Sequence, residues 1–259
     1  MSKTQTQTPD GMRTAARRAI ACLDLTDLND DCDEAAVEAL AARAKTPHGT
    51  VAALCVWPRF VRLARASAPA DVRVATVVAF PSGEARDESV IAEADRALRD
   101  GADEIDVVIP YRLMMEGHEE AVVSRVARVK REAGMNVVKA ILETGVLGGT
   151  EAVRRASELA LEGGADFLKT STGKAPVSAT LVAAETMLEA IAAHDRAAGL
   201  KAAGGIRTTE EAAAYLALAD ERMGEGWATP ATFRFGASGL LDALLATLAG
   251  EDVAAEGGY

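Results

Sequence analysis

The segment GADFLKTSTGKAP, residues 164–176, begins as a short apolar strand and places Lys169 near the end of that strand. A glycine and a second lysine, Gly173 and Lys174, follow within five residues. A charged side chain in an apolar strand is costly to bury unless other groups compensate its charge. The segment therefore predicts a buried strand whose carboxyl end carries a functional lysine.

Seven other short apolar runs resemble this strand, and Ala-rich amphipathic stretches separate them. The eight runs span residues 19–26, 50–57, 73–80, 103–110, 136–143, 165–171, 200–205 and 232–238. This alternation is typical of repeated βα units around a parallel sheet. It predicts an α/β protein with a (β/α)8 TIM barrel, and an open doubly wound sheet is the alternative. Thr208 and Glu211 have the spacing of a capping box and predict a helix start.

Length, composition and charge limit the class of protein. A chain of 259 residues with 49% hydrophobic residues fits one barrel domain, here residues 11–250, between flexible tails at 1–10 and 251–259. The net charge of −11 disfavours nucleic acids and anionic membranes as partners. Three cysteines without CxxC spacing indicate neither a disulfide framework nor a thiolate metal site. With no signal peptide and no long apolar run, we expect a cytoplasmic protein.

Polar residues interrupt several of the predicted strands near their carboxyl ends, where active sites of (β/α)8 barrels lie. The chain has 21 Arg but only 7 Lys, and three of these lysines fall inside strands. A desolvated lysine can lose its proton and attack a carbonyl to form an iminium. Alternatively, a strand-end lysine extends to solvent, Asp106 is an ion-pair partner and Cys55 is a core residue. The interrupting residues are Asp24, Thr26, Asp106, Lys139, Lys169 and Lys201.

Two glycine-containing segments predict phosphate recognition. KAAGGIRTTEE places Gly204 and Gly205 between a strand and a helix start, and RFGASGLL places Gly236, Ser238 and Gly239 likewise. Backbone N–H groups at helix starts bind anions, and the loops after strands seven and eight of such barrels frequently bind phosphate. The alternative is that each glycine only permits a tight turn.

Eight segments together resemble the deoxyribose-phosphate aldolase family, in order and at matching spacing over residues 20–249. They are CLDLTDLND, LCVWPRF, VVAFPSGE, GADEIDVVIPYR, KAILETG, GADFLKTSTGK, KAAGGIRT and FRFGASGLL. The resemblance implies a class I aldolase that reversibly cleaves 2-deoxy-D-ribose 5-phosphate to D-glyceraldehyde 3-phosphate and acetaldehyde. It also implies deoxyribonucleotide catabolism, small phosphosugar and aldehyde substrates, and no metal or other cofactor. A homodimer is one assembly that the sequence leaves open.

The resemblance also implies roles for individual residues. Lys169 would form the Schiff base, Lys201 would be its cationic neighbour, and Asp106 would be the acid/base group acting through water. Similar members often carry a second serine where this chain has Gly239, so one hydroxyl donor to phosphate is lost. Tyr259, the last residue, would be a proton relay at the enamine carbon. The substrate-binding residues would be Asp24, Thr26, Cys55, Lys139, Thr170, Gly173, Lys174, Gly204, Gly205, Arg207, Gly236 and Ser238.

We expect Lys201 to keep Lys169 unprotonated by repulsion between the two ammonium groups. Two other functions remain open from the residues alone. Another Schiff-base aldolase, such as a transaldolase-like enzyme, would share the chemistry but use another donor. A non-catalytic phosphosugar-binding barrel would keep the glycine loops but would not need Lys169 beside Lys201.

Overall fold

Eight parallel strands close into a barrel in the computed structural model, which describes residues 8–250. Each strand pairs with the next along the chain, and the last pairs with the first. The predicted (β/α)8 barrel is therefore confirmed. The strands are β1 (Leu23–Asp27), β2 (Ala53–Val56), β3 (Arg73–Val78), β4 (Glu104–Val108), β5 (Val137–Ile141), β6 (Phe167–Lys169), β7 (Gly199–Ala203) and β8 (Phe233–Ala237).

Helices surround the barrel and connect its strands. A 3-10 turn (Pro58–Phe60) precedes the third helix, and a two-stranded hairpin (Lys45–Thr46 and Gly49–Thr50) precedes β2. The helices are α1 (Pro9–Ala21), α2 (Glu34–Arg43), α3 (Val61–Ser67), α4 (Asp87–Arg99), α5 (Tyr111–Met115), α6 (Glu120–Ala133), α7 (Thr150–Glu162), α8 (Leu181–Ala193), α9 (Thr209–Met223) and α10 (Leu240–Ala249).

The predicted start of α9 is confirmed. The Thr208 hydroxyl accepts a hydrogen bond from the Glu211 backbone N–H at 3.2 Å, and the Glu211 carboxylate accepts one from the Thr208 backbone N–H at 3.1 Å. This capping box satisfies two N–H groups that have no partner inside the helix. It begins α9 directly after the Gly204–Gly205 turn, and thereby brings that turn to the carboxyl end of β7.

The prediction of the first strand was wrong over residues 19–21, which form the last turn of α1. Ala15, Ala16, Ala19 and Ile20 are buried along one face of this helix at helical spacing. The apolar end of α1 is followed at once by the apolar start of β1, so the two elements read as one run in the sequence. The helix also begins at Pro9, before the expected domain boundary at residue 11.

Two separate hydrophobic clusters fill the described fold. The large one lies between the strands and the surrounding helices. The small one consists of Leu28, Ala53, Cys55, Ala75 and Val77, and four of these residues alternate along β2 and β3. Small apolar residues thus occupy the side of the barrel that β2 and β3 form. Between residues 8 and 250, no helix has the length and apolar character that a membrane span requires.

Candidate active site

Seven charged side chains from six strands meet inside the barrel. Three are acidic and four are basic, and none is more than 5% exposed. Contacts between β1 and β5, on opposite sides of the barrel, require these side chains to point inward. The seven residues are Asp24, Glu104, Asp106, Lys139, Lys169, Lys201 and Arg234.

Six of these side chains form a closed ring of alternating charge, which we call the charge ring. Its order is Asp106, Lys201, Asp24, Arg234, Glu104, Lys139 and again Asp106. The nitrogen–oxygen distances of the six contacts, in that order, are 2.8, 2.5, 2.6, 2.8, 2.6 and 2.7 Å. Three negative and three positive groups therefore neutralise one another away from water.

Lys169 lies outside the charge ring and touches it at one atom. Its Nζ donates to Asp106 Oδ2 at 2.8 Å, and the same oxygen accepts a hydrogen bond from Lys201 Nζ at 2.8 Å. Lys169 is 3% exposed, whereas Lys139 and Lys201 are fully buried. Among the three strand lysines, Lys169 is the one whose amine reaches the cavity at the barrel mouth.

The pKa values of these groups shift in different directions. Burial lowers the pKa of Lys169, and the nearby Lys201 ammonium lowers it further against the opposing attraction of Asp106. Burial also disfavours the charged form of Lys201, but Asp106 and Asp24 outweigh it and raise the Lys201 pKa. The lysines around Asp106 overcome burial and hold the pKa of its carboxyl well below the usual range. Lys169 is thus the amine most readily neutral, while Lys201 stays charged.

This pattern modifies the expected reason for a neutral Lys169. Repulsion by Lys201 was expected to be the cause, and it does act in that direction. Desolvation in the barrel interior is the larger cause. Lys201 also weakens the attraction of Asp106 for a charged Lys169, because both amines donate a hydrogen bond to the same oxygen, Asp106 Oδ2.

A cavity of about 570 Å³ opens above Lys169 at the carboxyl ends of the strands. Such a volume lies within the range of small-molecule sites. Leu28, Asn29, Thr172, Ala203, Ile206 and Ala237 complete its wall, and of these Asn29 and Thr172 bring polar groups that the sequence did not single out. The predicted site residues that line it are Thr26, Lys169, Gly173, Lys174, Gly204, Gly205, Arg207, Gly236 and Ser238, together with Gly239.

Glycine is required at two positions of the cavity wall. Gly204 has a φ of +86°, and a Cβ atom there would lie 2.7 Å from the Cβ of Ser178. A Cβ atom at Gly236 would lie 2.9 Å from the Cε of Lys201. The backbone at these points therefore approaches its neighbours more closely than any side chain would permit. The starts of α9 and α10 lie just beyond, and their N–H groups favour an anion.

Four predicted substrate-binding residues do not line the cavity. Asp24 and Lys139 lie beneath it in the charge ring, and Cys55 belongs to the small apolar cluster. The Thr170 hydroxyl accepts from the Ala203 backbone N–H at 3.0 Å and joins β6 to β7. Burial raises the pKa of the Cys55 thiol. These four residues support the site from below because their polar groups already have partners or are fully enclosed.

Glu104 and Arg234 are the main charged residues of the interior that the sequence analysis missed. Arg234 donates to Glu104 through two nitrogens, at 2.8 and 3.1 Å, and to Asp24 at 2.6 Å. Both residues break an apolar strand, so the signal that singled out Asp106 and Lys139 was present for them too. Glu104 lies two residues before Asp106, which places both on one face of β4.

Glu143 is a further missed residue, two positions after the end of β5. It is 2% exposed and has a left-handed φ of +58°, which is uncommon for a residue with a side chain. Its carboxylate accepts hydrogen bonds from the Thr172 hydroxyl at 2.5 Å and the Thr172 backbone N–H at 3.3 Å. The Thr172 hydroxyl in turn accepts from the Lys174 backbone N–H at 3.1 Å. Glu143 therefore fixes the loop that carries Gly173 and Lys174.

Tyr259 lies outside the described residues, and so do most of the two expected tails, so the expected role of Tyr259 stays a prediction. In the described part of the chain, no group of three or more His, Cys, Asp and Glu side chains is placed to hold a metal ion.

Comparison with known proteins agrees with the resemblance seen in the sequence. A family model described as DeoC/LacD family aldolase matches residues 18–245. The chain is 51% identical over 251 residues to a deoxyribose-phosphate aldolase of Agrobacterium fabrum, covering 95% of this chain and 97% of that protein. A crystal structure from Toxoplasma gondii ME49, assigned to the same enzyme, is 29% identical with a TM-score of 0.87, over 95% of this chain and 98% of the other. A structure called QR15, an aldolase, is also 29% identical, with a TM-score of 0.78, and covers 89% of this chain and 96% of its own.

Proposed function

The chain belongs to the DeoC/LacD aldolase family, and from this premise we propose that it cleaves 2-deoxy-D-ribose 5-phosphate reversibly to D-glyceraldehyde 3-phosphate and acetaldehyde. It is an enzyme, a carbon–carbon lyase of the aldolase class. One observation carries the proposed mechanism: Lys169 brings an amine with a lowered pKa to the floor of a small-molecule cavity. A neutral amine at that point can attack the aldehyde carbon of the open-chain sugar.

The reaction begins with formation of an imine. The Lys169 amine adds to C1 of the substrate, the resulting carbinolamine loses water, and a protonated imine remains. Loss of the C3 hydroxyl proton then breaks the C2–C3 bond, and the electron pair moves to the imine nitrogen to give an enamine. Glyceraldehyde 3-phosphate leaves, C2 takes up a proton, and water releases acetaldehyde from Lys169. Atoms and charge balance without a further reactant.

Asp106 and Lys201 would handle the protons of these steps. Asp106 is a carboxylate in the resting site, since the lysines around it lower its pKa, and its Oδ2 lies 2.8 Å from Lys169 Nζ. It can accept a proton through a bound water and return it at C2. Lys201 stays charged and hydrogen-bonded to the same oxygen, so it can stabilise the negative charge that develops.

The phosphate of the substrate would occupy the glycine-lined side of the cavity. Gly173, Gly204, Gly205 and Gly236 expose backbone there, and Lys174 and Arg207 add positive charge near the starts of α9 and α10. Lys174 contacts Asp30 at 3.3 Å across the mouth, and that carboxylate is 92% exposed. A substrate dianion could therefore displace it at little cost. A phosphodeoxyribose substrate also suggests a part in deoxyribonucleotide breakdown.

Reductive trapping tests the proposed function. Incubation with acetaldehyde and sodium borohydride is expected to add one ethyl group to Lys169, because an imine between them is reduced to a secondary amine. Peptide mass mapping identifies the modified lysine. Borohydride without acetaldehyde is the control. Stoichiometric labelling at Lys201 or Lys139 would contradict the assignment, and a chain that reacts with dihydroxyacetone but not with acetaldehyde would be transaldolase-like.

Gly204→Ala is expected to raise the KM for the phosphorylated sugar about tenfold, which corresponds to about 1.4 kcal/mol. The new Cβ atom would collide with Ser178 and move the loop that carries Gly173 and Lys174. Initial rates with 2-deoxyribose 5-phosphate and with unphosphorylated 2-deoxyribose measure the effect, and the second substrate should show little change.

The matched control for Gly204→Ala is Gly117→Ala. Gly117 has a similar φ of +95°, but no atom lies within 4 Å of its added Cβ. It lies in the turn after α5 and does not line the cavity. Equal changes in KM for both sugars, or the same change in the Gly117 variant, would show that Gly204 does not shape a phosphate site.

A further inference from the structure

We propose that Glu104 and Arg234 act on the protonation state of Lys169 with opposite sign. Each balances the other within a neutral charge ring, which leaves no carboxylate free to balance an ammonium at Lys169, and loss of either one alone unbalances the ring. Glu104 and Arg234 would thus be positioning residues for the chemistry, acting through the ring rather than on the substrate. The inference rests on the proposed function, because it concerns the amine that forms the imine.

The ion pair lies away from the cavity that receives the substrate. Glu104 and Arg234 are 2% and 5% exposed, and neither lines the cavity above Lys169. They lie instead at the other end of the barrel, where both border a second cavity of about 670 Å³ together with Asn136 and Pro230. Arg234 Nε donates to the Pro230 carbonyl at 2.5 Å, so the guanidinium is fixed from below. Direct contact with substrate is therefore not their role.

Two chains of contacts connect this pair to Asp106, the carboxylate beside Lys169. One runs from Arg234 through Asp24 and Lys201, with nitrogen–oxygen distances of 2.6, 2.5 and 2.8 Å. The other runs from Glu104 through Lys139, at 2.6 and 2.7 Å. The two chains of contacts end on different oxygens of Asp106, Lys201 at Oδ2 and Lys139 at Oδ1. Each carboxylate oxygen therefore already has a cation from the ring.

The charge count explains the effect on Lys169. The ring contains three carboxylates and three cations, and it is neutral without Lys169. Protonation of Lys169 would leave one unbalanced positive charge in a desolvated interior, which is unfavourable. Loss of a ring anion should therefore lower the pKa of Lys169, and loss of a ring cation should raise it.

No other described titratable group near Lys169 offers a compensating negative charge. The groups that act on it directly are Asp106 from β4, Lys201 from β7 and Cys55 from β2. Burial raises the pKa of the Cys55 thiol and keeps it neutral. The members of the ring that lie farther from Lys169 are Asp24 on β1, Glu104 on β4, Lys139 on β5 and Arg234 on β8.

The experiment measures the pH dependence of reductive trapping with acetaldehyde at Lys169 in three variants. Glu104→Gln removes a ring anion, and its midpoint should move to lower pH by about one unit. Arg234→Met removes a ring cation, and its midpoint should move to higher pH by about one unit. At a pH below the midpoint, this shift makes the trapping rate about tenfold lower. The double variant restores neutrality and should return the midpoint toward that of the unaltered protein.

Opposite shifts from two members of one ion pair cannot arise from structural damage alone. Arg234→Lys keeps the positive charge and should leave the trapping midpoint nearly unchanged. If Arg234→Met does not fold, the inference is tested by comparing the midpoints of Arg234→Lys and Glu104→Gln. Shifts in the same direction, or lower trapping yield with an unchanged midpoint, would overturn the inference. Absence of any label at Lys169 in the unaltered protein would instead overturn the proposed function.

Discussion

Lys169→Met is expected to reduce cleavage of 2-deoxyribose 5-phosphate by at least about 10⁴-fold, because loss of a covalent nucleophile removes a whole reaction path. Methionine is similar in length but cannot form an imine. The fold should persist, since the change replaces a buried amine by an apolar group and leaves Asp106 bound to Lys139 and Lys201. Single-turnover and steady-state rates measure the loss, and circular dichroism checks the fold.

The matched control is Lys45→Met, which alters an exposed lysine of the hairpin before β2. Its rate should equal that of the unaltered protein. Binding of a non-reactive phosphosugar analogue to the Lys169 variant should also be retained, because the glycine-lined side of the cavity, where we propose that phosphate binds, is unchanged. A Lys169→Met variant within tenfold of the normal rate would remove Lys169 from the chemistry.

Lys201→Leu is expected to lower activity at pH 7 by about a thousandfold, because loss of the Lys201 ammonium raises the pKa of Lys169 and keeps its amine protonated. The substitution removes a ring cation, so an ammonium at Lys169 becomes the counter-ion of Asp106. The free amine is the reactive form, and its fraction rises with pH. Part of the lost activity should therefore return between pH 9 and about 10.4, the usual lysine pKa.

The rate of reductive trapping at Lys169 as a function of pH measures this shift. Lys130→Leu is the control, because it breaks a lysine–aspartate contact of 2.7 Å with Asp166 outside the ring. Its pH profile should be normal. A Lys201→Leu variant that loses activity equally at every pH would show that Lys201 acts on the substrate and not on the proton of Lys169.

Local patterns in the sequence were enough to predict the barrel and the amine at its mouth. Lys169 ends β6, Lys139 and Lys201 interrupt β5 and β7, and Asp106 interrupts β4. Each departure from an apolar pattern is visible within one strand. The parallel arrangement of eight strands then requires these side chains to converge, which the structure confirms.

The parts of the structure that the sequence did not predict have identifiable physical causes. The apolar face of α1 runs directly into β1, so periodicity over a few residues could not separate them. Glu143 was missed because its left-handed backbone and its bond to Thr172 depend on a loop 29 residues away. Thr170 was expected to bind the substrate, which stays a prediction; in the structure its hydroxyl hydrogen-bonds the Ala203 backbone and joins β6 to β7.

The sequence by itself determined the strand and helix pattern, the glycine turns and the unusual lysines, because each depends on residues within one element. Only the tertiary structure decided which charges pair. Glu104 and Arg234 lie 130 residues apart, and closure of the barrel brings them into one ring with four other charges. Whether an interior lysine is neutral depends on desolvation and on the balance of charge around it, and both quantities exist only once the eight strands enclose a common space.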